Sequence, residues 1–240
     1  MKEKIYTIPI NEAVDLNSEC AFCEIEKKLE KDATEYALGA AMMEPDYRIL
    51  CNEKGFCNHH FSMLFKKPNK LSLALILDSR LETLRKDFSS LDKSFENTQK
   101  KCRFFKKSQT PTSFNLPKNS CVICEKIDSE IKRYTEVFFY MWKNDQTFKE
   151  KILSSKGFCL PHFYHLLDAS SKYLSKPDDF IKPIYEKQIS ELKRIQDDIH
   201  RFTLKFDYRN KDMDWKNAKD APIRTIEKTV GYIDTEEQES

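Results

Sequence analysis

Apolar side chains recur along this chain at helical intervals, in two matching blocks. After Cys124 come Ile127, Ile131, Tyr134 and Phe138, at steps of four, three and four. After Cys23, the positions Ile25, Leu29, Tyr36 and Ala37 trace a shorter stripe that ends near Gly39. Each predicts an amphipathic helix. A second helix is expected to begin at a Cys-x-x-His element in each block, where Pro161 suits a first helical turn. A third, longer stripe follows. Leu77, Leu81, Leu84, Phe88, Leu91 and Phe95 alternate by four and three, and so do Gln188, Leu192, Ile195, Ile199, Phe202 and Phe206. That alternation marks a coiled-coil-like seam. It predicts two long helices packed on one another in a monomer, with a homodimer through the same helices as the alternative. A last short helix is expected near 221–230. It would start at Asp220-Ala221-Pro222, turn Ile223, Ile226 and Val230 inward, and stop at Gly231.

The two blocks form an internal repeat. Cys20 falls on Cys121 at an offset of 101 and Cys57 on Cys159 at 102, so one inserted residue reconciles them. Lys54-Gly55-Phe56-Cys57 then matches Lys156-Gly157-Phe158-Cys159, His60-Phe61 matches His162-Phe163, and Leu64 matches Leu166. The expected architecture is all-α, with two tandem three-helix units packed through the long heptad-patterned helices. Its segments would be 1–98 for the first repeat, 99–120 for a Lys-, Ser- and Pro-rich linker, 121–208 for the second repeat, and 209–240 for a tail with a disordered acidic end, TEEQES.

Composition narrows the class. Four glycines and nine prolines in 240 residues are too few for a turn-rich β fold. The 41 basic and 39 acidic side chains nearly cancel, so no global charge draws the chain to nucleic acid or membrane. The start, MKEKIYTIPINEAVDL, has no apolar core of a secretory leader, and the most apolar run, LSLALIL, is too short to span a bilayer. A cytoplasmic protein is expected. Thiols stay reduced there, so the eight cysteines read as metal ligands or buried residues rather than disulfides.

Their spacing favours metal. Cys20-Ala21-Phe22-Cys23 is followed by 33 residues and then Cys57; Cys121-Val122-Ile123-Cys124 is followed by 34 and then Cys159. Each of the later cysteines has a histidine three positions on, one helical turn away. Zinc takes four such ligands in a tetrahedron, commonly as Cys3His. The repeat therefore predicts two zinc ions per chain, one held by Cys20, Cys23, Cys57 and His60, the other by Cys121, Cys124, Cys159 and His162. An iron–sulfur cluster is the alternative cofactor, though ligation by cysteines alone is more usual there. Four ligands leave no open position for water, so the zinc is expected to be structural. The repeat also sets bystanders apart. Cys51 stands where the second block has Leu153, His59 where it has Pro161, and His165 where the first has Met63; Cys102 has no counterpart. Gly55 and Gly157 are expected at positive φ, turning the chain into each site ahead of a helix that starts at the cysteine.

The duplicated C-x-x-C and GFC-x-x-HF motifs, with MKEKIYTIPINEA, MMEPD at 42–46 and YRNKDMDWKNAKDAPIR at 208–224, resemble a family of unknown function from Gram-positive anaerobic bacteria. The resemblance covers most of the chain. It implies the architecture and brings no activity.

Other chemistry is scarce. Phosphate-cradling glycine loops, H-E-x-x-H and G-x-S-x-G are missing, and no catalytic residue or organic-cofactor site stands out. The expected function is a structural zinc scaffold or interaction module for a protein partner, with no membrane role. A nucleic-acid binder is the alternative. It would use the linker residues Lys100, Lys101, Arg103, Phe104, Phe105, Lys106 and Lys107, and Arg209, Trp215, Lys216, Lys219, Arg224 and Lys228 of the tail. A metalloenzyme of unknown reaction ranks third.

Overall fold

The computed structural model describes residues 3–102 and 120–233, and the side chains of 6–89 and 120–233. Among the described residues the chain is built from helices: α1 Glu3–Asp15, α2 Ala21–Leu38, α3 Pro45–Lys54, α4 Asn58–Lys66, α5 Lys70–Cys102, α6 Val122–Asn144, α7 Gln146–Ser154, α8 Leu160–Tyr173, α9 Asp178–Leu204 and α10 Ala221–Val230. None is long and apolar enough to cross a membrane. The residues 103–119 of the expected linker, the acidic end TEEQES, and the Leu91 and Phe95 side chains lie outside the described residues.

Each repeat has a helix more than its apolar stripes predicted. Between the C-x-x-C helix and the Cys-x-x-His helix runs a short one, α3 in the first repeat and α7 in the second. Pro45 occupies the first turn of α3, where its missing N–H costs nothing. Asp145 caps α7, accepting a hydrogen bond from the Phe148 N–H at 3.0 Å.

The chain divides into two compact units that cut across the repeats. One combines Met1–Leu29 with Ser129–Ser240; the other is Glu30–Asp128. The unit boundaries fall inside α2 and α6, not in the linker, so these segments differ from those expected at 1–98 and 121–208.

In the discontinuous unit the core is aromatic. Phe138 meets Phe22, Phe148, Phe158 and Phe180 at ring-centroid distances of 5.5–6.0 Å. The α6 stripe is buried as expected at Ile131, Tyr134 and Phe138. The helix α10 packs on α8 and α9. It faces the opposite way to its expected apolar side: Ile226 and Val230 are exposed, whereas Lys228 is fully buried.

The continuous unit has an aliphatic core of Ala33, Ala37, Leu38, Leu64, Leu73, Ile76, Val122 and Ile123. Here α5 uses Leu73 and Ile76 for burial, while the seam positions Leu77, Leu81 and Phe88 are exposed. In α9 the seam is divided, with Gln188 and Ile195 buried but Leu192 exposed; Phe206, also exposed, lies past the helix end.

Candidate metal centres

Each cysteine motif opens a helix. Cys20 and Cys121 immediately precede α2 and α6; Cys57 and Cys159 are the N-cap residues of α4 and α8. Their carbonyls accept the first turn's N–H groups, as in Phe61 N to Cys57 O at 2.9 Å and Phe163 N to Cys159 O at 2.8 Å. A residue three positions later, Cys23, Cys124, His60 or His162, then projects from the same face one turn on. Helix N-termini also carry positive potential, which stabilises thiolates.

All eight expected ligands come together, in two groups of four, with the halves exchanged. Cys20 and Cys23 meet Cys159 and His162 in the discontinuous unit; Cys121 and Cys124 meet Cys57 and His60 in the continuous one. The pairing Cys20, Cys23, Cys57, His60 and its counterpart do not form. Between the first C-x-x-C and Cys57 run the 18 residues of α2 and the 10 of α3, about 27 Å and 15 Å of helix. The glycine knuckle that follows closes on the other C-x-x-C.

Within each group the ligand atoms lie inside 4.8 Å of one another. In the first, His162 Nδ1 is 3.1 Å from Cys159 Sγ and 3.5 Å from both Cys20 Sγ and Cys23 Sγ, and Cys23 Sγ is 3.5 Å from Cys159 Sγ. In the second, His60 Nδ1 is 3.1, 3.3 and 3.4 Å from the sulfurs of Cys57, Cys121 and Cys124, and Cys57 Sγ is 3.8 Å from Cys124 Sγ. A tetrahedron with metal–sulfur bonds near 2.3 Å and metal–nitrogen bonds near 2.1 Å has edges of about 3.6–3.8 Å. Both groups match that size, slightly contracted.

The outer nitrogen of each imidazole faces a carboxylate from α2. His162 Nε2 is 3.2 Å from Glu26 Oε1. His60 Nε2 lies 3.0 Å from Glu30 Oε1, a close ionic contact not aligned as a hydrogen bond, while His59 Nε2 reaches the same oxygen at 2.7 Å. Such carboxylate–histidine pairs orient metal-binding rings and raise their basicity. Cys23, Glu26 and Glu30 share one helix face, at steps of three and four. Acidic residues on the inward face of an otherwise amphipathic stripe were the signal that the sequence offered for them.

Both groups favour positive charge at the ring. Burial works against a charged imidazole, yet the sulfur of Cys121 and the Glu30 carboxylate raise His60 to about 10. His162 rises to about 12 against the same penalty, through Cys159, Cys20 and Glu26. Burial also opposes ionising Cys20, but hydrogen bonds with Cys159, Cys23 and His162 hold its thiol well below the ordinary range.

The knuckles are built alike. Gly55 has φ 70° and Gly157 φ 76°. Behind each stands a cation that donates to backbone carbonyls. Arg80 Nη1 reaches Asn52 O and Glu53 O; Lys228 Nζ reaches Lys156 O, and Glu19 O at 3.0 Å. Buried Gln188 clamps the second knuckle from both sides, its amide donating to Phe158 O at 2.9 Å and its oxygen accepting from Phe158 N at 3.3 Å. Lys228, Arg80 and Gln188 had no recognisable motif.

The bystanders separate cleanly. Cys51 is buried outside both groups, and burial pushes its thiol up to about 11 against an opposing Tyr47 hydrogen bond. His165 bonds Thr135 Oγ1 at 2.9 Å. His59 joins a group with Glu30 and His60 and lies outside both sulfur-containing groups. The Cys102 side chain is outside the described residues, and no described cysteine is in a disulfide.

A family profile, DUF6062, described as a family of unknown function, matches residues 1–236. The chain belongs to DUF6062. Curated proteins and solved structures offer no match to it. This DUF6062 chain therefore draws its functional reading from its own residues. Part of the basic surface expected to bind nucleic acid is withdrawn into the fold: Lys228 is buried, Arg224 pairs with Asp198 at 2.9 Å, and Trp215 packs on Phe202. The Lys100–Lys107 patch falls outside the described side chains.

Proposed function

We propose that the protein is a two-zinc helical scaffold of a reducing, cytoplasmic compartment, with structural metal at both Cys3His groups. One observation carries the reading. Two sets of three sulfurs and one imidazole nitrogen converge at single-ion spacing, each with a carboxylate behind the ring. The same spacing argues against the iron–sulfur alternative, because the several irons of a cluster hold their ligands further apart than one ion does. Four protein ligands and three thiolate charges leave little Lewis acidity and no open coordination position, which speaks against catalysis at the metal. A protein partner is the intended client of the scaffold in this reading. The exposed apolar positions Leu71, Leu81 and Phe88 of α5 supply a face for it.

Metal analysis of the purified chain tests the assignment. About two zinc ions per chain are expected, in a colourless solution, and cobalt substitution should give the intense visible bands of tetrahedral thiolate sites. A brown protein with iron and labile sulfide, or fewer than about two metals after reconstitution with zinc, would overturn it.

A further inference from the structure

We infer that Cys57 and Cys124, in the metal centre of the continuous unit, are the chain's site of oxidative modification by small peroxides. The inference rests on the zinc reading above. Two centres with the same donor set differ in access. In the discontinuous unit all four ligands are buried, with Cys159 at 0% exposure. Gly231, at the end of α10, lies against Cys23 Sγ, and a Cβ placed there would be 3.9 Å away. The cavity beside Cys20 and Cys23, bounded by Glu227 and Tyr232 among others, measures about 10 Å³. A cavity that small barely holds one water, so no peroxide enters.

The continuous unit is different. Cys121 and His60 are buried, but Cys57 and Cys124 are partly exposed, and they are neighbours, with their sulfurs 3.8 Å apart. Zinc-bound sulfur keeps thiolate character, and susceptibility to oxidation follows thiolate character and access. Among the described cysteines, Cys57 and Cys124 are the partly exposed ones, and their sulfurs lie close enough to join.

The chemistry balances. One thiolate attacks a peroxide oxygen, the O–O bond breaks, hydroxide leaves, and a sulfenic acid remains on sulfur. The second thiolate attacks that sulfur and forms the S–S bond as the second hydroxide departs. Two electrons pass from the sulfur pair to hydrogen peroxide, which ends as two waters after taking up two protons. Zinc loses two of its four ligands and is released.

The test is a hydrogen peroxide titration of the zinc-loaded full chain, with released zinc read by a chromophoric chelator and disulfides mapped by mass spectrometry. One zinc per chain should leave in a first phase at least about tenfold faster than the second, together with a Cys57–Cys124 disulfide. Loss of both ions in a single phase, or a first disulfide that contains Cys20, Cys23, Cys159 or Cys102, overturns the inference and leaves the two-zinc reading intact. A chain that takes up no zinc at all overturns both.

Discussion

Gly55 shows how much a single residue decides here. Its φ of 70° and ψ of −158° lie in a region that only glycine occupies without strain of about 1–3 kcal/mol. The reversal lets α3 end and the Cys57 sulfur enter the metal group within two residues. Gly157 makes the same turn at φ 76°, in tighter surroundings. A Cβ at Gly55 would meet Arg80 Nε at 3.5 Å, an ordinary contact with a flexible side chain. At Gly157 it would meet Gln188 Oε1 at 3.1 Å, and that oxygen is fixed by its bond from Phe158 N. Both Gly→Ala variants should therefore lose stability through the backbone, and Gly157→Ala should lose more, because it also disturbs the Gln188 clamp. Chemical denaturation of the zinc-loaded variants measures the order. Equal losses would mean that the clamp gives way freely. The positive φ was legible in the sequence, since a glycine stood before both cysteines. The clamp was not, because Gln188 looked like one more position in a heptad stripe.

At the scale of elements, α10 illustrates the limit of reading a helix from its apolar positions. Its bounds were legible from Asp220, Pro222 and Gly231, yet it buries a lysine and exposes Ile226 and Val230. Lys228 repays its burial through three groups that local sequence cannot bring together. These are the carbonyls of Glu19 and Lys156 and, at 3.6 Å, the Glu19 carboxylate, itself bonded to Arg194 at 2.6 Å. Burial pulls the Lys228 pKa down, helped by the nearby Arg194 charge, with Glu19, Cys20 and Glu191 opposing. A charge so placed complements the net negative charge of a zinc ion with three thiolates. Lys228→Met keeps much of the volume and removes the charge, leaving Glu19 and two carbonyls short of a donor. Breaking a buried pair in this way typically costs about 3–5 kcal/mol. The loss should appear as a lowered melting temperature, and as faster chelator extraction of one of the two zinc ions. A variant with unchanged melting and unchanged extraction would show that α10 is a passive cover.

For the whole molecule the deciding question is which halves close on which. The duplicated motifs picked out all eight side chains that the structure gathers into the two groups, because cysteine and histidine recur at matching positions and Cys51 and His59 do not. The partnership between half-sites was beyond reach, since equal spacings in the two repeats allow closure within a repeat or between repeats. The structure takes the exchanged option, with α2 and α6 each contributing residues to both compact units. Pairs of substitutions separate the two arrangements without any structural measurement. Cys20→Ser with His162→Ala removes two ligands from one exchanged centre, so the chain should still bind about one zinc. Cys20→Ser with His60→Ala removes one ligand from each, so both centres should fail and zinc should fall toward zero. Closure within each repeat reverses the two results: the Cys20/His60 pair would keep one ion and the Cys20/His162 pair none. Each double variant has the same number and kind of lost ligands, so a general loss of stability would lower both alike. Only the pairing of the half-sites makes them differ.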